Sequence, residues 1–173
     1  RKRKKGPGMN KAELLADRLQ AARRWTLSLL NDIPESTWFD MSGSGHTHVA
    51  WQVGHLTASI ASLIHVRCLG KAFEKCLPAD FRERFGIGSS PVSDAAAHPP
   101  VSELRNLFDR IHAEAVAAVA AMSEDDLSGP AGGQPHPMLT TREAAVVMAI
   151  MHEAFHAGQI AMLRRLAGKE PLR

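Results

Sequence analysis

The stretch Met151-His152-Glu153-Ala154-Phe155-His156-Ala157-Gly158-Gln159 lies near the carboxyl end of a chain of 173 residues, and the reading of the whole turns on it. Two histidines four residues apart share one face of a helix, with Cβ atoms about 5–6 Å apart. At about 100° per residue, His152 and His156 fall on one stripe with Ala145, Met148, Ala149, Ile160 and Leu163. An apolar stripe is the side of a helix that packs inward. The pattern extends back to Thr140, where Glu143 three residues on completes a capping box, and forward to Ala167, with Gly168 as terminator. Such a helix is roughly 40 Å long.

Three more segments carry the helical period. The first spans about Lys11 to Leu30, with Asn10 and Glu13 as a capping pair, Pro34 beyond its end, and Leu14, Leu15, Leu19, Ala22, Leu29 and Leu30 as its apolar side. After a Gly-, Ser- and His-rich loop, Met41 to His48, a second runs from about Thr47 to Leu69. Val49, Val53, Leu56, Ile60, Leu63 and Ile64 recur there at three and four, and Gly70 is the stop. A third spans about Val101 to Met122, with a further turn expected at Ser123 to Leu127 and a Gly/Pro-rich loop from Ser128 to Met138. Between the second and third, Lys71 to Pro100 is broken by Pro78, Gly86, Gly88, Pro91, Pro99 and Pro100, with one short helix expected near Ala79–Phe85. A connection of that length is a crossover or a functional loop. No strand pattern and no internal repeat is found, so an all-α four-helix bundle is the economical fold.

Composition bounds the rest. Apolar residues make up 45% and charged residues 23%, as in an ordinary globular domain. The formal charge of +3 comes from Arg-Lys-Arg-Lys-Lys at residues 1–5; without those five the chain carries −2. Residues 1–9 read as a disordered basic arm or a cloning remnant, its first eight residues preceding Met9 as a natural start, and residues 10–173 as one domain. A nuclear-localisation signal in the same run is a weak match. The remainder has no excess of positive charge for a nucleic-acid face, and no nucleic-acid partner is expected. Cys68 and Cys76 are too few for a disulfide framework and fit a reducing, cytoplasmic setting. No signal peptide or apolar run of the ~20 residues needed to span a bilayer is read, so no membrane partner is expected.

The histidines carry the chemistry. Two imidazoles on one helical face can converge on one ion at about 2.0–2.1 Å per bond. Buried without partners, they would cost a few kcal/mol. A lone histidine on an apolar face is more often a hydrogen-bonded core residue, and HxxxH also arises by chance. His55 adds weight: it lies midway along the second helix, on a stripe with His48, Gln52, Ser59 and Ser62. Three histidines with an open position match a catalytic zinc-type site better than a closed structural one. Zinc is the default ion, and nickel and iron suit the same donors.

Other motifs compete. His152-Glu153-x-x-His156 matches HExxH, in which the glutamate is general base, but no histidine follows, the sole downstream carboxylate, Glu170, lies beyond the helix end, and no strand is read to hold a peptide. Glu153 stays a candidate base for a smaller hydrolysis, with an exposed helix glutamate as the alternative. A di-iron site needs Glu-x-x-His on two helices, which helix two lacks. Nucleophilic catalysis by Cys68 or Cys76 has no base nearby, and Met148, Met151 and Met162 read as core filler.

Together, Trp51-Gln52-Val53-Gly54-His55-Leu56 and His152-Glu153-Ala154-Phe155-His156-Ala157-Gly158-Gln159-Ile160-x-x-Leu163-Arg164-Arg165 resemble the DinB/YfiT-like superfamily of metalloenzymes, over Lys11 to Leu172. The resemblance implies a four-helix bundle, up-down-down-up, with a long crossover between helices two and three. It implies a three-histidine centre at His55, His152 and His156, and a homodimer. Characterised relatives include thiol-dependent transferases and isomerases using bacillithiol, mycothiol or glutathione. The implied activity is therefore S-transfer from a small-molecule thiol to an electrophilic substrate. The alternatives are hydrolysis with Glu153 as base, or a non-catalytic metal-stabilised binding or stress-associated module. His46, His48, Trp51 and Gln52 would line the entrance, and Gln159 would hydrogen-bond behind the ligands.

Overall fold

The computed structural model of the protein describes residues 8–41 and 46–172; residues 1–7 of the basic arm and 42–45 of the loop before the second helix lie outside the described residues. Helix α1 spans Lys11–Leu30, opened by the reciprocal Asn10–Glu13 capping box. Helix α2 spans Val49–Ile60 and continues through a wider π-type turn, Ala61–Val66. Two short helices, α3 (Phe81–Phe85) and α5 (Glu124–Ser128), flank the long α4 (Val101–Ala120), and α6 (Arg142–Leu166) closes the chain. Gly70 follows the α2 segment at φ 67°, a backbone conformation that only glycine adopts freely. Among the described residues a single bridge, Pro130 to Thr141, is the only β-type pairing.

Side-chain links give the topology. Along α1, Lys11 pairs with Glu143, Arg23 with Glu153 and Asp32 with Arg164, so α1 and α6 run parallel. Against α4 the order reverses: His112 donates to the Leu19 carbonyl and Arg23 to that of Phe108. Between α2 and α6, Gln52 meets Gln159 while Cys68 meets the Arg142 carbonyl, an antiparallel pair. The directions are therefore up-down-down-up, and α2 and α4, which pack together, run the same way. Two neighbouring parallel helices need a crossover, and residues 67–100 supply it. That segment is far from loose: Phe73, Cys76, Leu77, Phe81 and Phe85 are all buried in the core.

The structure shifts several sequence expectations. The N-cap of α6 is Thr141, whose hydroxyl accepts from the Ala144 amide, and not Thr140; Glu143 reaches Lys11 instead of completing a box. Leu14 is exposed, because the buried stripe of α1 runs Ala12, Ala16, Leu19, Arg23, Thr26, Leu30. Met151 and Met162 are exposed as well, on the outward side of α6, while Met148 does pack on the core. That outward apolar side gives α6 a window of mean hydropathy 1.3, enough by length and composition alone to cross a bilayer. Its other side packs on α1 and α2.

Two histidines outside the sequence candidates are structural. His65 donates to the Ile111 carbonyl at 3.0 Å, and His112 donates to that of Leu19 at 3.2 Å. Burial, aided by the nearby Arg23 charge, lowers the His112 pKa to about 4. The unfolded chain protonates this side chain near pH 6.5, so its contribution to stability is full above that pH and is lost as pH falls towards 4. Urea unfolding of the metal-free protein is expected to lose about 1.4 kcal/mol per pH unit in that window for this histidine. His112→Gln, which keeps a donor for Leu19, should show a shallower decline; an unchanged slope would refute the assignment.

Candidate metal centre

The backbone of α2 brings His55 to the face opposite α6, and the four-residue spacing on α6 brings His152 and His156 to meet it. Ring centroids lie 5.1 Å apart for His55 and His152, 4.7 Å for His55 and His156, and 4.4 Å for His152 and His156. One nitrogen from each ring lies within 4.8 Å of the others. The structure thus brings together the three residues that the sequence put forward.

Two of the rings are held from behind. His55 Nδ1 donates to the Phe85 carbonyl at 2.7 Å, and His156 Nδ1 donates to Gln52 Oε1 at 2.5 Å. Those bonds put the protons on Nδ1 and leave both Nε2 atoms as lone-pair donors. Gln52 is oriented in turn, its amide nitrogen donating to Thr47 Oγ1 and Gln159 Oε1. Gln159, exposed on α6, therefore acts one step further from His156 than the sequence placed it. Trp51 stacks on the His55 ring at 4.7 Å and 8°, and its indole N–H donates to Ser89 Oγ.

Glycine at position 54 is explained by the same packing. A Cβ there would lie 2.3–2.6 Å from three ring carbons of Phe85, the residue whose carbonyl holds His55. Adding one methyl group would push away the group that fixes the tautomer.

Electrostatics favour the ligand form. Burial lowers the pKa of all three imidazoles; mutual repulsion adds to it at His152, brought to about 4, and at His156, brought to about 3. All three rings are neutral at pH 7 with lone pairs available. His152 Nδ1 is buried and has no hydrogen-bond partner. A divalent ion would satisfy that orphaned nitrogen and use the two free Nε2 atoms, so the donor set fits zinc, nickel or iron.

Other sequence candidates fall elsewhere. Glu153 is 0% exposed, and Arg23 holds both its oxygens, at 2.8 and 3.2 Å. It is neither a surface residue nor aimed at the imidazoles, because its place one residue after His152 turns it about 100° round the helix towards α1. His48 caps α2, accepting from the Trp51 amide and donating to the Val92 carbonyl, and does not face the cluster. Cys68 and Cys76 are buried thiols, and burial pushes both up, Cys68 to about 11, which disfavours the thiolate form at either. Sequence reasoning missed Arg23, although it sits on the buried stripe of α1.

A cavity of about 420 Å³ opens beside His55 and His152, with walls that include Leu63, Phe73, Leu139 and Met148. It gives the cluster one accessible side.

The family model described as the DinB superfamily matches residues 18–160. A conserved protein from Enterococcus faecalis, known from a crystal structure, superposes with a TM-score of 0.64 at 19% identity, covering 94% of this chain and 100% of that one. At that identity the likeness concerns the fold alone. No curated protein matches the sequence.

If Gln52 and Phe85 fix the ligand tautomers, Gln52→Ala and Gly54→Ala should each weaken metal binding by about 10–100-fold. Competition against a chromophoric chelator measures this; parent-like affinity in both variants would show that the rings need no support from behind.

Proposed function

The chain belongs to the DinB superfamily, and from that membership we propose that it binds one divalent metal ion at His55, His152 and His156 and uses it for S-transfer from a small thiol to an electrophilic substrate. One observation carries the proposal: three neutral, desolvated imidazoles converge, and two of them, His55 and His152, border a half-open, largely apolar cavity. A closed structural site would have a fourth protein ligand in place of that opening. When bound, the ion supplies Lewis acidity that favours the deprotonated form of a thiol.

The chain's own contribution is positioning and exclusion. Phe85 and Gln52 hold two rings by their Nδ1 protons, Trp51 covers one face of His55, and the apolar walls limit water. In the transfer the thiol loses its proton, sulfur bonds an electrophilic carbon, and the leaving group departs with the bonding pair. Hydrolysis with Glu153 as base loses its support, because Arg23 occupies that carboxylate. Zinc is our choice of ion on donor type alone, and elemental analysis of protein purified without a nickel column decides it. The two buried free cysteines favour a cytoplasmic setting.

Cobalt-substituted protein should change its visible spectrum on addition of bacillithiol, glutathione or cysteine. A spectrum unmoved by all three would leave a metal-stabilised module without transferase function. Chelation should lower the Tm, since metal at about a thousand times its Kd adds ~4 kcal/mol to the folded state. His152→Ala should abolish the difference.

We also propose a homodimer. Val147, Met151, Phe155, Met162 and Leu166 form an exposed apolar stripe along α6, with Phe155 63% and Met162 53% exposed, Ala154 and Gly158 beside them and Arg165 at its C-terminal end. A straight apolar stripe on one helix is self-complementary about a two-fold axis, the commonest symmetry of soluble dimers. Sedimentation is expected to give a dimer at micromolar concentration and a monomer for Phe155→Glu; a monomeric parent would end the proposal.

A further inference from the structure

The cavity beside the imidazoles has a polar wall of one kind. Arg67 and Arg82 line it, with Ser59, Ser62 and His136. The two guanidiniums lie in different settings. Arg67 is half-buried and fixed, donating to the Gly132 carbonyl at 2.8 Å and the Gln134 carbonyl at 2.9 Å. Arg82 is exposed and lies over the Phe73 ring, 4.2 Å from its centroid. Its neighbour Arg84 pairs with Asp80, but among the described residues Arg82 has no carboxylate within salt-bridge distance. His136 accepts the Met138 amide on Nδ1, so its proton is on Nε2 and it too offers a donor. Among the described residues no aspartate or glutamate lines the cavity.

The wall therefore presents hydroxyls, an imidazole N–H and two positive charges, one tied to carbonyls and one resting on an aromatic ring, with no anion among the described lining residues to balance them. A planar guanidinium held over an aromatic ring is set up for a carboxylate, which it can meet with two parallel hydrogen bonds. We propose that the cavity takes a small organic carboxylate with an apolar body, its carboxylate at Arg82 and its reacting end at the three-histidine site. This deepens the reading above and rests on it in treating the cavity as the substrate site. Arg82 is the specificity-determining residue; Arg67, tied to two carbonyls, shapes the wall and adds to the positive potential.

Either the thiol or the acceptor could carry the carboxylate, and two series of probes separate them. In the first, cobalt-loaded protein is titrated with 3-mercaptopropionate, 2-mercaptoethanol and cysteamine and read by its visible bands. In the second, zinc-loaded protein is titrated calorimetrically with hydrocinnamate and with its neutral amide. Each is repeated with Arg82→Gln, a surface change that leaves the core intact, and with Arg82→Lys. We expect the acid to bind about tenfold more tightly than its neutral partner in at least one series. That preference should fall below threefold in Arg82→Gln and be restored in part by Arg82→Lys. A preference among the thiols places the carboxylate on the thiol; one confined to hydrocinnamate places it on the acceptor. If no thiol moves the cobalt bands while hydrocinnamate keeps its Arg82-dependent preference, the thiol reading fails and this one stands. No preference in either series, or one that survives Arg82→Gln unchanged because the carboxylate seeks the metal, overturns it.

Discussion

Arg23 reaches out of α1 into the centre of the bundle, and the geometry of the imidazoles depends on where it lands. Its guanidinium grips Glu153 of α6 through two hydrogen bonds, donates to the Phe108 carbonyl of α4, and lies 3.4 Å from the centroid of the Phe108 ring. A buried ion pair is a weak source of net stability, since removing both charges from water costs several kcal/mol per ion. It is a strong source of phase. With Glu153 fixed towards α1, its neighbours His152 and His156 are turned towards α2. Lys11–Glu143 and Asp32–Arg164 hold the same parallel register at the two ends of α1.

The second dependence runs through the crossover. Because α2 and α4 pack in parallel, the chain must return the length of the bundle between them. The protein uses the returning segment as part of the site: Phe85 fills the space above Gly54, and its carbonyl accepts the His55 proton. The HExxH spacing thus serves two ends. Its histidines turn towards His55, with His152 bordering the cavity, and its glutamate faces the core and is gripped by Arg23.

The helices were legible in the sequence because each carries its own local information. The Asn10–Glu13 box, the apolar spacing of α4 and the glycine after α2 all act within a few residues. The histidine trio was legible for the same reason on α6, and through the DinB-like motif for His55. What escaped was nonlocal. The partner of Arg23 lies 130 residues away, so a charge on a buried stripe reads as a flaw in the pattern rather than as a link. Gly54 looks like a weak point in a helix until Phe85, 31 residues on, is placed against it. The choice of Thr141 over Thr140 as N-cap turns on one residue, which periodicity does not resolve.

Charge balance is the last constraint, and it links the keystone pair to the cavity. The one carboxylate adjacent in sequence to a histidine of the trio is Glu153, and Arg23 already neutralises it. The three imidazoles are neutral, so an ion among them would bring two positive charges next to a wall that holds Arg67 and Arg82. Among the described residues the cavity has no anion of its own to offset that field. In a partly enclosed space the repulsion between like charges is stronger than in bulk water. The proposed carboxylate, with one end at the histidines and the other at Arg82, would relieve both at once. The positive wall and two of the three neutral histidines border the same cavity, and the carboxylate proposed above would answer the charge of the wall and of an ion at the trio.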